Sequence, residues 1–230
     1  MRAIDAPQGS AEWFEARLGA LTASRIGDAV RQPKRVNTGE LQSRTDLKIE
    51  LAVERITKKP AEKFVSEWMT RGTEMEPLAR AAYELRKSVE VQQVGFVFHP
   101  HIQFAGCSPD GLIGEDGLVE LKVPKPNTHA EYLLGEVVPD AYIPQMMWQM
   151  ACTGRKWNDF VSYCPDFPDP LDVFICRLPR DDQRIAEMEA EAQKFLREVE
   201  AIETQLKEGL KGVLRTSGPP KAIIPPPVVL

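Results

Sequence analysis

The sequence predicts an α/β fold with helices first, a mixed sheet in the centre and a long helix near the C-terminus. Three observations carry this expectation. Apolar residues recur at helical spacing up to Lys87, switch to strict alternation from Val89, and return to a three-and-four spacing after Asp181. Helices packed on a central sheet are the stable layer arrangement for such an order.

The elements follow in turn. AEWFEARLG reads as a short helix with Ser10 as N-cap and Gly19 as its stop. Thr22 begins a second helical run through Arg25, Ile26 and Val30, and the polar loop RQPKRVNTGE follows. Leu47, Leu51, Val53 and Ile56 mark a helix ended by Lys58-Lys59-Pro60, and a longer one runs from about Ser66 to Lys87. Val89 to Phe98 and Ile102 to Cys107 read as strands, and SPDG as a turn. After the strong turn signal Gly114-Glu115-Asp116-Gly117 comes the strand LVELKVP. A helix is expected from Asp140, its cap, to Thr153, with Gly154 past its end. WNDFVSYC and LDVFICRL are two more strands, joined by a PDFPDP turn. From Asp181 to Lys211 the apolar positions Ile185, Met188, Ala192, Phe195, Val199, Ile202 and Leu206 form one stripe, read as a helix packed on the sheet or on a neighbouring subunit. The expected organisation is a single domain over residues 1–215 and a proline-rich tail over residues 216–230.

Composition narrows the class. With 43% hydrophobic and 27% charged residues the chain reads as an ordinary globular protein. No apolar run approaches the ~20 residues needed to cross a bilayer, and MRAIDAPQGS lacks a signal-peptide core, so a cytoplasmic location with no membrane partner is expected. Cys107, Cys152, Cys164 and Cys176 form no C-x-x-C pair, which disfavours zinc or iron–sulfur ligation, and their flanks suit small buried residues. The net charge of -5 does not by itself favour nucleic acid. Basic residues nevertheless dominate from Arg17 to Lys63, and acidic ones from Asp181 to Glu208. One basic and one acidic face would let the protein hold DNA locally; two solvated helix surfaces are the plainer alternative.

The informative stretch is SPDGLIGEDGLVELKV. In LVELKV, Val119, Leu121 and Val123 point to one side of the strand, and Glu120 and Lys122 to the other. Asp110 lies ten positions before Glu120, and a hairpin through the EDG turn would return it beside that residue. Two converging carboxylates suit a hard divalent cation such as magnesium, which needs only one or two of them besides waters and substrate phosphate. Lys122 would orient a metal-bound water and stabilise transition-state charge. A cross-strand salt bridge with Asp110 as a turn former is the structural alternative.

Pro109-Asp110 and Glu120-Leu121-Lys122 resemble the PD-(D/E)xK nuclease signature. The surroundings resemble the YqaJ-type viral recombinase nucleases, typified by lambda exonuclease. WFEARLGALTASRIG is similar to the family's N-terminal Trp, Arg-Leu-Gly and Thr-Ala-Ser motif, RGTEMEPLAR to its Gly-x-x-x-Glu helix, and AYIPQMMWQM to its Tyr-x-x-Gln helix. In order, these cover Trp13 to about Met150, roughly two-thirds of the chain. The resemblance implies a restriction-endonuclease-like core and a magnesium-dependent (manganese as possible substitute) exonuclease. Its substrate would be one strand of linear double-stranded DNA, degraded from 5′-phosphorylated ends to leave 3′ overhangs for phage-type recombination. It also implies a homotrimer ring, a single-strand annealing protein as partner, and a phage or prophage origin in a bacterial host.

Residue by residue, the resemblance makes Asp110, Glu120 and the Leu121 carbonyl metal ligands. Lys122 serves the nucleophilic water, and Glu76 completes the site. Arg17 and Ser24 bind the 5′ phosphate, Lys34 faces the DNA end, and Gln145 supports the site from its helix. The family's second helix glutamine is replaced by Met147, which puts its role in doubt. Arg17 paired to Glu12 or Glu15, Glu76 as a first-turn charge before Pro77, and Trp68-Met69 as core rather than a strand-separating wedge are the structural alternatives. His99 and His101 read as turn residues. An endonuclease or repair nuclease on the same site, and a non-catalytic DNA-end clamp, are the competing functions; a Cas4-like iron–sulfur nuclease is disfavoured by the cysteine spacing.

Overall fold

The computed structural model describes residues 1–31, 39–61 and 67–216, with backbone alone at 67–69 and 210–216. Ser10 does cap α1 (Ala11–Arg17), its hydroxyl accepting the Trp13 N–H at 3.3 Å, and Gly19 supplies the positive φ of 64° beyond it. The expected second helix begins later than Thr22. Leu21–Thr22 form a short strand, β2, Ala23–Arg25 a 3₁₀ turn, and Ile26–Val30 the helix α2. Helix α3 (Gln42–Thr57) ends with Lys58 in the left-handed conformation. Helix α4 (Glu67–Lys87) runs straight through Pro77, so Glu76 is an interior helix residue and not a first-turn charge. The side chains of Trp68 and Met69 lie outside the described residues, as do Lys34 and the tail beyond Thr216.

Among the described residues, two four-stranded mixed sheets replace the single one expected. The first orders β1 (Arg2–Ala3), β3 (Val97–Phe98), β4 (Ala105–Cys107) and β2, with β2 parallel to β4. The second orders β5 (Gly111–Ile113), β6 (Gly117–Lys122), β7 (Trp157–Tyr163) and β8 (Val173–Pro179), with β6 parallel to β7. The run from Val89 to Phe98 is therefore not one strand. Gln92 exchanges main-chain hydrogen bonds with Leu112 of the second sheet (2.9 and 2.8 Å), and Val97–Phe98 belong to the first. Between them Gly95 abuts the carbonyls of Ile4 and Ala6, so closely that a Cβ there would stand 2.4 Å from the Ala6 oxygen.

Helix α5 (Pro126–Gly135) has no counterpart in the sequence reading. It buries His129 alone and leaves Leu134 86% exposed, so it has almost no apolar stripe to detect. Helix α6 (Ile143–Thr153) starts after Tyr142, leaving Asp140 outside as an exposed residue without a capping role; Gly154 closes it at φ 74°. Helix α7 (Asp182–Thr216) is entered through Asp181, whose Oδ1 accepts the Arg184 N–H at 3.0 Å.

The main core gathers Ile26, Leu47, Leu51, Trp148, Met150, Phe195 and Val199, which packs α7 mainly on α2, α3 and α6. The basic and acidic stretches expected on separate faces meet here. Arg44 and Lys48 of α3 hold Glu198 of α7 at 2.6 and 3.0 Å, and Arg55 approaches Glu203 at 3.8 Å. A second core (Ala79, Tyr83, Val119, Leu121, Val161) joins α4 to the other face of the second sheet. That sheet is thus covered by α6 on one side and α4 on the other. His99 does act as a turn former, its Nδ1 accepting the His101 and Ile102 N–H groups at 3.2 and 3.1 Å while Nε2 meets Glu189. Among the described residues no helix is long and apolar enough to cross a membrane, and the cysteines are free.

On the α4 side, fully buried Asp159 accepts from the Tyr83 hydroxyl at 2.9 Å and from Arg177 at 2.7 and 2.9 Å. Asp159→Asn keeps the shape but removes the charge from these bonds. We expect it to lower stability by about 1–2 kcal/mol, read by urea denaturation. An unchanged midpoint would mean that the network contributes nothing net.

Candidate active site

Strand β6 is buried on both faces, and the alternation along it separates two environments. Val119 and Leu121 enter the apolar α4 side. Glu120 and Lys122 face the α6 side, where Glu120 is only 1% exposed. An ionised group so buried must be paired or hydrogen-bonded, and Glu120 is both. Its Oε1 accepts from the Gln145 amide at 2.6 Å and from the Lys122 ammonium, and its Oε2 accepts from the Gln149 amide at 2.5 Å.

Asp110 reaches the same place from the neighbouring strand. The β5–β6 pairing runs only from Gly111↔Val119 to Ile113↔Gly117, so beyond Val119 this edge of β6 has no strand partner. The Asp110 side chain takes that position, with Oδ2 accepting the Leu121 N–H at 2.6 Å. The N–H and C=O of a strand residue point to the same edge, so the Leu121 carbonyl opens on Asp110's side. Hairpin and side-chain cap together gather two carboxylates, a carbonyl and an ammonium at the end of one strand.

The electrostatics reflect that crowding. Burial pushes the Asp110 carboxyl well above its usual range; Glu120 and then Glu76 push the same way, while Lys122 and the Leu121 N–H oppose them. Burial disfavours charge on Lys122, yet Glu120 and Asp110 outweigh it and hold the ammonium above its ordinary value. The Lys122 nitrogen also lies 5.2 Å from the centre of the Tyr142 ring. Glu76 is within electrostatic reach of Asp110 but is itself paired with Arg80 at 2.5 Å. Among the described residues no three carboxylate, imidazole or thiol side chains gather closely enough to hold an ion by themselves.

The N-terminal residues are tied to this turn. The Trp13 indole N–H donates to Ser108 Oγ at 2.9 Å, two residues before Asp110, and the Gln8 amide donates to the Pro109 carbonyl at 2.9 Å. The Arg17 guanidinium lies over the Trp13 ring at 3.8 Å. Among the described residues it forms no ion pair with Glu12 or Glu15 and no hydrogen bond, so its donors remain available. Burial lowers its pKa to about 10, against the opposing pull of Glu54. Ser24 is exposed in the 3₁₀ turn, its hydroxyl 3.2 Å from that of Thr22. Because β2 runs parallel to β4 with Thr22 beside Gly106, Ser24 and Ser108 leave the same end of the first sheet.

Arg17 and Ser24 thus sit at the Asp110 end of the molecule, and Gln145 bonds Glu120 directly. Met147 is buried in the main core, so no polar role falls to it. The residue missed from sequence is Gln149. It lies four positions after Gln145 and hence on the same helix face, which is the signal that would have found it.

An Asp–Glu–x–Lys set gathered on the edge of a mixed sheet between helices defines a nuclease fold. A model of the YqaJ-like viral recombinase domain matches residues 12–156, and the chain belongs to that family. Among solved structures it is similar to LHK-Exo, an alkaline exonuclease from Laribacter hongkongensis, at 43% identity and a TM-score of 0.81 over 89% of this chain and 100% of that one; a complex of LHK-Exo with dAMP matches equally. A phage-related exonuclease from Haemophilus somnus 129PT is similar in fold, with a TM-score of 0.62 at 13% identity over 81% of this chain and 96% of that one. A comparison with curated proteins finds no match.

Proposed function

We propose that the chain is a magnesium-dependent 5′-to-3′ exonuclease that degrades one strand of linear double-stranded DNA from 5′-phosphorylated ends and leaves 3′ overhangs for phage-type recombination. The observation that carries this reading is the Asp110–Leu121 hydrogen bond, which draws a carboxylate to the strand position between Glu120 and Lys122. The alkaline exonuclease named for the 43% identical neighbour, and that protein's complex with dAMP, support an end-directed nuclease that releases mononucleotides.

The donor set suits magnesium, with manganese as a substitute: all-oxygen ligands, two of them carboxylates, on an open strand edge. Two buried carboxylates side by side repel, and a dication offsets that repulsion. Asp110, Glu120 and the Leu121 carbonyl would hold the ion, with Glu76 completing the site from α4. The bound ion supplies an activated water and neutralises charge developing on the phosphodiester. Lys122, beside Glu120, would serve that water as a hydrogen-bond donor and stabilise the transition-state charge. Arg17, its guanidinium held 3.8 Å over the Trp13 ring, and the Ser24 hydroxyl bind the 5′ phosphate. Family membership extends the reading to a homotrimeric ring around the DNA, acting in the cytoplasm with a single-strand annealing protein.

Linear duplexes labelled at either end, with and without a 5′ phosphate, test the proposal. Label at the 5′ end should be released first, and faster from phosphorylated ends. Arg17→Ala should bring the phosphate-to-hydroxyl rate ratio close to one; an unchanged ratio removes Arg17 from this role. Nicking of closed-circular DNA by the pure protein would favour an endonuclease instead.

A further inference from the structure

Gln149 sits where an apolar residue would pack as well. It is fully buried, and its neighbours on α6, Trp148 and Met150, belong to the main core. Its amide is used at both ends: Nε2 donates to Glu120 Oε2 at 2.5 Å, and Oε1 accepts from Asn158 Nδ2 at 2.6 Å. Asn158 is also fully buried and lies on the same face of the sheet as Glu120, opposite Leu118 in the parallel β6–β7 register.

We infer that Gln149 is a positioning residue that sets the plane of the Glu120 carboxylate, and that Asn158 sets which end of the Gln149 amide meets it. A carboxylate oxygen has two acceptor positions. On Oε1 both are taken, by Gln145 and Lys122; on Oε2 Gln149 takes one. The remaining acceptor position therefore lies on Oε2, the oxygen that Gln149 holds. The terminal torsion of a glutamate is broad, so without Gln149 the carboxylate pivots about its Oε1 partners. Asn158 completes the relay, since turning the Gln149 carbonyl toward Glu120 would break the Asn158 bond and set oxygen against oxygen. This inference rests on the reading above, that Glu120 holds a divalent cation.

The test is Mn2+ binding to the full-length protein without DNA, titrated by electron paramagnetic resonance or calorimetry. Removing a partner that orients a ligating carboxylate typically weakens metal binding ~10–100-fold. Gln149→Leu should bind Mn2+ at least about tenfold more weakly than wild type. Its cleavage rate should recover in part as Mn2+ is raised, a shift in metal requirement that altered packing would not produce. Asn158→Leu should weaken binding in the same direction, and the double variant should bind no more weakly than Gln149→Leu alone. Unchanged Mn2+ affinity in folded Gln149→Leu, or effects of the two variants that simply multiply, would overturn the inference. If circular dichroism shows Gln149→Leu unfolded, Asn158→Leu decides the matter: weaker binding upholds the relay, unchanged binding overturns it. Failure of wild type to bind Mn2+, or full binding by Glu120→Ala, would defeat the metal reading and this inference with it. A normal wild type, a deficient Glu120→Ala and an unaffected Gln149→Leu would defeat the inference alone.

Discussion

Asp110→Asn is expected to reduce DNA cleavage by at least about a thousandfold while making the protein more stable in EDTA. The substitution removes a ligand charge from the site but preserves the shape, because an asparagine oxygen still accepts the Leu121 N–H. Stability moves the other way because folding raises the pKa of this carboxyl, through burial first and the charges of Glu120 and Glu76 next. A raised pKa means that ionisation favours the unfolded chain. This carboxyl therefore has no destabilising effect below the ordinary carboxylate range and takes away stability as pH rises above it. Asparagine carries no such penalty, and the expected gain at neutral pH is about 0.5–2 kcal/mol. Lys122→Met should abolish cleavage to the same degree with the opposite effect on stability, since it strips the ammonium that offsets Glu120 and Asp110. Rates within tenfold of wild type in either variant would remove that residue from the chemistry. Two losses of stability, in place of one gain and one loss, would refute the electrostatic account.

Gly106→Val should be among the most damaging changes outside the site. Glycine is required here by close approach. A Cβ would stand 2.5 Å from the Val97 carbonyl oxygen and 2.4 Å from the Phe96 ring, and the first of these is backbone held in the sheet. Overpacking of this kind costs about 3 kcal/mol or more, or roughly 6–12 °C in a chain of this size. Activity should fall with stability, because β4 leads directly into Ser108, Pro109 and Asp110. Gly106→Ala should show the same losses to a lesser degree. A melting temperature for Gly106→Val within about 2 °C of wild type would contradict the packing described.

The proposed reacting groups were legible because strand alternation alone separates Glu120 and Lys122 from Val119 and Leu121, and the EDG turn returns Asp110 to them. Helices α3 and α7 were legible for a similar reason, since each has an apolar stripe several turns long. What stayed hidden depends on contacts between distant segments. The run from Val89 to Phe98 alternates like a single strand, but Gln92 pairs with one sheet and Val97 with the other, and only the approach of Ile4 and Ala6 to Gly95 divides it. Helix α5 was missed because it buries little beyond His129. Gln149 is marked in the sequence only by its spacing of four from Gln145, and its partner Glu120 lies 29 positions away in the chain. The charge segregation between the N-terminal third and α7 was visible, but not that Arg44 and Lys48 would reach across to Glu198 and neutralise it.

The Trp13–Ser108 hydrogen bond has a consequence for the size of the product. Arg17 rests on the indole that this bond fastens to the Asp110 turn, so the group proposed to read the DNA end and the carboxylate proposed to act on it are joined through one hydrogen bond and one ring contact. On those proposed roles, the span from guanidinium to Asp110 would set how many nucleotides leave at each cut.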